Sequence, residues 1–502
     1  MSYIKSYRNQ NYLLPPKITD LFSKDHVCYL IEQITDSLDY SAFDVKYSGP
    51  GGPAYHPRIN LKLLLMGSVD GIRSSRKIAK NAQENMVYIY LAEKTSPDFR
   101  TISDFRKDNK ELVKNVFKQL NLFALEEGLI DLSHLMVDGT TIKANANDNK
   151  NLSKEVIEKM EKYIDKLVEE GIKVDEQEDK LYDNRGMHQL PEEFNSSEKR
   201  KQVVRKIVDE INNYMKEGDK EKVDQIKKGL QSLKKVMKER GLKKYSLTDP
   251  DSRFMLNKKG KVELSYNAQL VVDKNGLILS NDVVQDCEDR HQLLLNIARV
   301  EQDFGQLPEG TKVSADGLYL SKDIIVLDDQ KFDLYMPVYG MVKENKNRFD
   351  KVNFKYDEEN DQYICPEDKI LKLKYRTKDR RYGSLLTYAC ADCQTCPYKR
   401  ACSKNNDFRT ITALPHDKLV NRIKEKMQTP EGKETYKLRK QTVEPAFGDI
   451  KHNKKLRDFL LRGVEKVKIE FDLGCVAHNL VRINNLIKGK KAKNKVFLAK
   501  AC

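Results

Sequence analysis

The chain has 502 residues, a formal net charge of +15 at pH 7 and a pI near 9.1. This length exceeds what one hydrophobic core usually organises, so we expect several domains or one core with large insertions. The basic charge favours an anionic partner. Because no apolar stretch is long enough for a secretory or membrane-spanning segment, we expect a cytoplasmic protein without a membrane partner.

Residues 1–130 are predicted to form a helical N-terminal domain, because apolar residues recur there at helical spacing. Basic residues of this region are candidates for binding DNA: Arg73, Arg76, Lys77 and Arg100. Short successive helices that carry them could form a helix-turn-helix-like unit. An ordinary helical domain with a charged exterior is an equal alternative.

Residues 151–245 are rich in Lys and Glu and are predicted to be a coiled-coil-like helical insertion. Met160, Ile211 and Met237 belong to apolar sets that recur there at coiled-coil spacing. The charges favour a solvated face, and a DNA clamp or a dimer arm is the alternative.

The sequence around this insertion predicts a mixed α/β sheet. Residues 262–272 and 277–284 are two alternating runs joined by the turn 273–276, which is typical of a β-hairpin. A helix near residues 291–304 then leads to a strand that ends at Asp316. The predicted core therefore combines residues 131–150, 246–340 and 430–502.

Three short strings each offer one carboxylate. Asp138 and Asp316 both follow an apolar or β-branched run and precede a glycine, which predicts strand ends at an open edge of the sheet. Glu444 lies in a basic helical stretch. Two Asp and one Glu suit a pair of Mg²⁺ ions and suggest phosphoryl transfer on nucleic acid. An Asp before Gly is also a common turn residue, and other acidic residues compete for the role: Asp148, Asp282, Asp286, Asp289 and Asp449.

Residues 341–429 are predicted to be a cysteine-rich insertion. It contains five thiols where a tetrahedral Zn²⁺ needs four: Cys365, Cys390, Cys393, Cys396 and Cys402. A structural zinc site and a loop of free thiols are equally supported by the spacing.

The chain resembles the DDE transposases of bacterial insertion sequences. The strings that carry this resemblance extend over nearly the whole chain: residues 55–58, 71–77, 98–103, 137–140, 266–269, 315–317, 443–451 and 479–482. The resemblance implies an RNase H-like catalytic core behind a helical N-terminal domain.

It also implies that Asp138, Asp316 and Glu444 bind two Mg²⁺ ions, for which Mn²⁺ can substitute. The implied reaction is cleavage at the ends of an element, followed by transfer of the freed 3′-hydroxyl into target DNA without a covalent protein intermediate. The implied partners are double-stranded DNA, as terminal inverted repeats and target, and a second copy of the chain in a synaptic dimer.

The family signature around the catalytic Glu includes Arg four residues before it and Lys seven after it. Lys451 occupies the downstream position, whereas Lys440 stands four residues before Glu444 and Arg439 is one residue out. Lys440, Lys451 and Arg439 are therefore candidates for DNA binding. Helical geometry predicts that Arg439 points away from the carboxylate and that Pro445 kinks or restarts the helix.

Two alternatives remain beside an active transposase. One is a decayed or repurposed transposase that binds DNA without catalysis. The other is a nuclease that cuts DNA without strand transfer.

Overall fold

The fold is described from a computed structural model. It describes residues 17–43, 54–147, 150–175, 198–216, 220–257, 260–321, 324–325, 331–338, 348–357, 359–379, 383–403, 408–413 and 417–501.

Helices and strands occupy most of these residues. The α-helices are α1 (Cys28–Asp36), α2 (Pro57–Val69), α3 (Ser75–Glu84), α4 (Met86–Leu91), α5 (Phe99–Asp108), α6 (Lys110–Glu126), α7 (Lys154–Asp175), α8 (Glu198–Lys216), α9 (Lys220–Glu239), α10 (Gln292–Phe304), α11 (Lys399–Cys402), α12 (Asp417–Gln428), α13 (Pro430–Gly448) and α14 (Val464–Ala501). The strands are β1 (His134–Lys143), β2 (Asn151–Ser153), β3 (Lys244–Ser246), β4 (Arg253–Leu256), β5 (Val262–Val272), β6 (Ile278–Val284), β7 (Thr311–Ala315), β8 (Phe332–Tyr335), β9 (Lys355–Asp357), β10 (Gln362–Ile364), β11 (Ile370–Asp379), β12 (Gly383–Cys390) and β13 (Thr410–Ala413).

The central sheet has six strands in the order β4-β5-β1-β7-β8, with β6 also paired to β5. β1 is antiparallel to β5 and parallel to β7, and β7 is parallel to β8. β5 and β6 form the predicted antiparallel hairpin. This mixed sheet, preceded by six α-helices in the described N-terminal residues, confirms the predicted RNase H-like fold class.

Helices cover both faces of this sheet. Met136 of β1 belongs to a hydrophobic cluster that includes residues of the N-terminal helices, α13 and α14. The next residue, Val137, belongs to a second cluster with residues of α10 and α12. Because successive side chains of a strand point to opposite faces, β1 contributes to both cores.

β1 is longer than predicted, so the prediction that Asp138 ends a strand is wrong. β1 lies between β7, which pairs with it as far as Val137, and β5, which pairs with it as far as Lys143. The strand therefore continues past the end of its parallel neighbour, because the antiparallel neighbour still satisfies its backbone groups. Asp138 lies at the point where the parallel pairing stops.

The predicted helical character of residues 151–245 is confirmed in the described part. α7, α8 and α9 share a hydrophobic cluster in which Met160, Ile211 and Met237 are buried. The short strands β2 and β3 pair antiparallel, with Asn151 opposite Ser246. This helical segment therefore leaves the rest of the chain and returns to it at the same place.

The cysteine-rich region contains a second sheet that the sequence analysis did not predict. Its five strands run antiparallel in the order β13-β12-β11-β10-β9. Leu371, Tyr388 and Ile411 are buried in its own hydrophobic cluster. The division of the chain into the domains given above remains a prediction.

Candidate active site

Asp138 and Asp316 are brought together by the pairing of β1 with β7. Val137 lies opposite Ala315 in this parallel register. Asp138 and Asp316 are the next residues in sequence after Val137 and Ala315. β7 ends at Ala315, so Asp316 follows a strand end as predicted. The side chain of Asp138 is only 12% exposed.

Gly317 is required by close packing behind Asp316. Asp316 caps a 3₁₀ turn, Gly317–Tyr319, and its carboxylate accepts the backbone N–H of Leu318 at 3.0 Å. A Cβ atom at Gly317 would lie 2.3 Å from the carbonyl oxygen of Pro337. The glycine after the acid is thus explained by the space between two backbone segments.

Glu444 lies on α13, which packs against β1 and β7. The helix does not restart at Pro445, which was one of the two predicted outcomes, because α13 continues to Gly448 and is followed by a π-helical turn, Asp449–Asn453. Proline removes one donor to the carbonyl four residues earlier, but neighbouring helical bonds and packing can retain the helix. Glu444 therefore keeps a helical position, with 46% of its side chain exposed.

Arg439 contradicts the prediction that it points away from the acids. Its guanidinium Nη2 donates to Asp138 Oδ1 at 2.6 Å, and Nη1 lies 3.8 Å from Glu444 Oε1. Its Nε also donates to the carbonyl of Val137 at 3.4 Å. The Cα position of Arg439 faces the sheet, and the long side chain extends along the helix far enough to reach both carboxylates.

The charges around Arg439 are opposite to its own. Burial lowers the pKa of Arg439, but the carboxylates of Asp138 and Asp316 and the Tyr436 phenol outweigh this, so its pKa is raised. Burial raises the pKa of Tyr436, with the two carboxylates acting in the same direction and Arg439 against them. One buried cation thus interacts with all three of the predicted acids.

Lys451 also approaches β1. It lies on the π-helical turn, and its Nζ donates to Thr140 Oγ1 at 2.6 Å and to the carbonyl of Thr141 at 3.0 Å. Lys440 is exposed on α13. Of the two lysines, Lys451 is therefore the one held beside the acidic residues.

Two transposase families match this chain. Residues 364–484 match the Transposase DDE domain family, and residues 16–108 match the Transposase domain (DUF772) family. The two matches indicate a DDE transposase of the insertion-sequence type. The DDE-domain match includes Glu444 and Lys451, whereas Asp138 and Asp316 lie outside it. No curated protein matches the chain.

DDE transposase domains act as nucleases and transferases on DNA and generally use divalent metals. Within the described residues of this transposase, no group of three or more His, Cys, Asp or Glu side chains is already arranged as a metal site. Every helix in the described ranges is too short or too polar to cross a bilayer.

A polar network behind β1 was missed by the sequence analysis. Asp289 Oδ1 accepts the amide N–H groups of Asn267 and Gln269, each at 2.7 Å. Tyr319 donates its hydroxyl to Gln269 Oε1 at 2.5 Å. A Cβ atom at Gly139 would lie 2.3 Å from Gln269 Nε2 and 2.7 Å from Asp289 Oδ1. Asn267 and Gln269 belong to one of the strings that resemble the family, but their spacing alone indicated no role.

The competing acids of the transposase have other partners. Asp282 pairs with Arg299 and, at 2.8 Å, with Lys468. Asp449 contacts His478 Nδ1 at 2.8 Å. Asp286 accepts the amide of Gln292 at 2.7 Å, and Asp289 belongs to the network behind β1. Asp148 lies outside the described residues.

The basic residues of the N-terminal helices have two different environments. Arg73 points inward, with Nη1 donating to the carbonyl of Lys455 at 2.9 Å and Nη2 at 3.6 Å from Glu470. Arg76 and Arg100 are exposed and lie over the ring of Phe99, at 4.7 and 5.8 Å from its centroid. Lys77 is exposed on the same helix as Arg76. Arg76, Lys77 and Arg100 are thus exposed to solvent, whereas Arg73 links the segment before α3 to the C-terminal region.

The five cysteines of the second sheet line one pocket. Cys390 ends β12 and is fully buried, and burial raises the pKa of its thiol to about 12. Cys365 Sγ accepts the backbone N–H groups of Glu367 and Lys369 at 3.4 and 3.2 Å. Arg409 donates its backbone N–H to Cys393 Sγ at 3.4 Å. The thiols are thus neighbours, and a shared zinc ion remains a prediction.

Proposed function

We propose that the transposase cuts DNA at the ends of its element and joins the freed 3′-hydroxyl to target DNA. Asp138, Asp316 and Glu444 would be the catalytic residues of this direct phosphoryl transfer. The observation that supports the proposal is the position of Arg439, a buried cation that contacts Asp138 and Glu444 and interacts with Asp316. Carboxylates from three separate elements therefore face one centre of positive charge.

The donor set fits divalent metal ions. Mg²⁺ and Mn²⁺ prefer carboxylate oxygens, and a guanidinium already stands as a cation between the carboxylates. Asp138, Asp316 and Glu444 would hold two Mg²⁺ ions. When bound, such ions activate the attacking oxygen and stabilise the leaving oxygen.

The chain's own basic residues would position the DNA. Lys451 lies beside β1 and would bind a phosphate near the acids, and exposed Lys440 would bind one further along α13. Arg76, Lys77 and Arg100 would contact the terminal inverted repeat from the N-terminal helices. A homodimer that holds both element ends would be the working form, in the cytoplasm.

We also propose a structural Zn²⁺ bound by Cys365, Cys393, Cys396 and Cys402. These four thiols lie on loops or at the ends of short helical turns and are partly exposed. Backbone N–H groups already donate to two of them, as happens at thiolate ligands. Cys390 would be the fifth thiol, since it belongs to β12 whereas the other four lie outside the sheet.

The test is incubation of the protein with its own element ends, target DNA and Mg²⁺. Wild type should cleave and join, whereas Asp138→Ala, Asp316→Ala and Glu444→Ala should bind DNA without cleaving it. Glu434→Ala is the matched control, because Glu434 is an exposed acid on the same helix as Glu444.

The outcome separates the alternatives. A wild type that binds element ends and neither cuts nor joins them would be a non-catalytic DNA-binding protein. Cutting without joining would indicate a nuclease. Full activity of one acid variant would remove that residue from the site.

A further inference from the structure

Arg439 is less exposed than either of the two proposed catalytic acids that it contacts. Its side chain is 7% exposed, compared with 12% for Asp138 and 46% for Glu444. A buried charge is retained only where opposite charges or hydrogen bonds compensate its desolvation. Asp138 compensates the charge of this guanidinium at 2.6 Å, with Glu444 at 3.8 Å and the charge of Asp316 further away.

The reverse also holds, because three neighbouring carboxylates repel one another without a cation between them. Arg439 meets this need in two directions. It binds Asp138 on the sheet at 2.6 Å and approaches Glu444 on the covering helix at 3.8 Å. One side chain thus links a carboxylate of β1 to a carboxylate of α13.

Its contact with Asp138 also competes with any other cation. Asp138 Oδ1 accepts both Arg439 Nη2 and the backbone N–H of Gly139 at 3.0 Å. An oxygen that already accepts two donors has little capacity left for a metal ion at about 2.1 Å.

We propose that Arg439 is a positioning residue that occupies the place of a divalent cation in the metal-free transposase. It keeps Asp138 and Glu444 assembled, and it releases Asp138 Oδ1 when the metal binds. This inference rests on the proposed function, because it takes Asp138, Asp316 and Glu444 as the metal ligands.

The test is a titration of the full chain with Mn²⁺ in the absence of DNA. Electron paramagnetic resonance measures the concentration of free Mn²⁺ at each step. Arg439→Gln removes the competing cation, so it should bind Mn²⁺ roughly tenfold or more tightly than wild type. Arg439→Lys keeps the charge without the planar fork and should fall between the two. Lys437→Gln is the matched control, because it removes an exposed positive charge from the same helix and should bind as wild type does.

A second readout is the melting temperature with and without Mn²⁺. Metal-free Arg439→Gln should melt below wild type, and Mn²⁺ should raise its melting temperature by more than it raises that of wild type. Asp138→Ala in the Arg439→Gln background should abolish the specific binding.

Three results are distinguishable. Equal or weaker Mn²⁺ binding in Arg439→Gln, with binding still lost in Asp138→Ala, overturns the role of Arg439 and leaves the proposed metal site intact. A change in Lys437→Gln as large as in Arg439→Gln also overturns it, because the effect would then be one of net charge. Binding that Asp138→Ala does not affect overturns both the inference and the proposed metal site.

Discussion

Replacement of Asp138 by Asn should destabilise the metal-free transposase, whereas replacement of Glu444 by Gln should not. A cluster of carboxylates usually becomes more stable when one charge is removed, because repulsion decreases. Asp138 should behave in the opposite way, since it is the closest partner of the buried Arg439. Asp138→Asn would leave that guanidinium with only longer contacts.

The structure sets the size of the difference. Both side chains of the Asp138–Arg439 pair are nearly buried, and loss of one partner of such a pair costs about 3–5 kcal/mol. We expect the lower end, about 3 kcal/mol, because Arg439 keeps the carbonyl of Val137 and the more distant Glu444. This corresponds to a decrease of roughly 6–12 °C in the melting temperature of a unit of about 150–250 residues, the size of the predicted catalytic core, and to roughly 3 °C if the whole chain unfolds as one unit. The exposed Glu444 contact at 3.8 Å should contribute about 0.5 kcal/mol or less.

Calorimetry in a chelator and at low salt provides the measurement, with both variants compared against wild type. The reasoning fails if Asp138→Asn melts at or above the wild-type temperature, because the acids would then only repel one another. It also fails if Glu444→Gln loses as much stability as Asp138→Asn.

Three further predictions concern the surroundings of the site. Gly139→Ala should cost about 2 kcal/mol in thermal unfolding, because its Cβ would meet the Gln269 amide at 2.3 Å; unchanged stability would show that the network behind β1 yields easily. Burial lowers the pKa of His134 to about 4, so the unfolded chain takes up a proton at a higher pH than the folded chain does. The contribution of neutral His134 to the free energy of unfolding should therefore be fully present above about pH 6.5 and decrease by roughly 3 kcal/mol as the pH falls to about 4. His134→Gln should flatten that part of the melting profile, and an identical profile would contradict the assignment. Cys390→Ser should retain zinc in elemental analysis under reducing conditions, whereas Cys393→Ser should lose it; the absence of zinc from wild type would refute the site.

The RNase H-like sheet was predictable because its signals are local. The alternation of residues 262–284 and their turn indicate the hairpin directly. The strand before Asp316 ends where the apolar run ends. The length of β1 was not predictable in this way, because it depends on which strand lies on each side. Residues 134–143 alone do not show that the parallel neighbour β7 stops at Ala315 while the antiparallel neighbour β5 continues.

The second sheet left a signal in the sequence that was not used. Leu371, Leu373 and Tyr375 alternate with lysines in β11, which is the pattern of a strand with one covered face. The five cysteines instead led to the interpretation of this region as a zinc site or a loop of free thiols. In the structure the strands form a hydrophobic cluster of their own, which includes Cys390 and against which Cys365, Cys393 and Cys402 pack.

The error about Arg439 has a physical cause that extends to other helices over acidic sites. The helical repeat determines only where the Cβ atoms point. Arg439 and Glu444 are five residues apart, so their Cβ atoms point in directions that differ by more than a right angle around the helix axis. A guanidinium lies several bonds beyond its Cβ, so it can follow the axis and meet a carboxylate that the angle excludes. The direction of the side chain depends on the position of the opposite charge, and here Asp138 of β1 lies within 2.6 Å of the guanidinium. The long separation of the acids in sequence is therefore overcome twice, once by the register of β1 with β7 and once by a single arginine that binds β1 from α13.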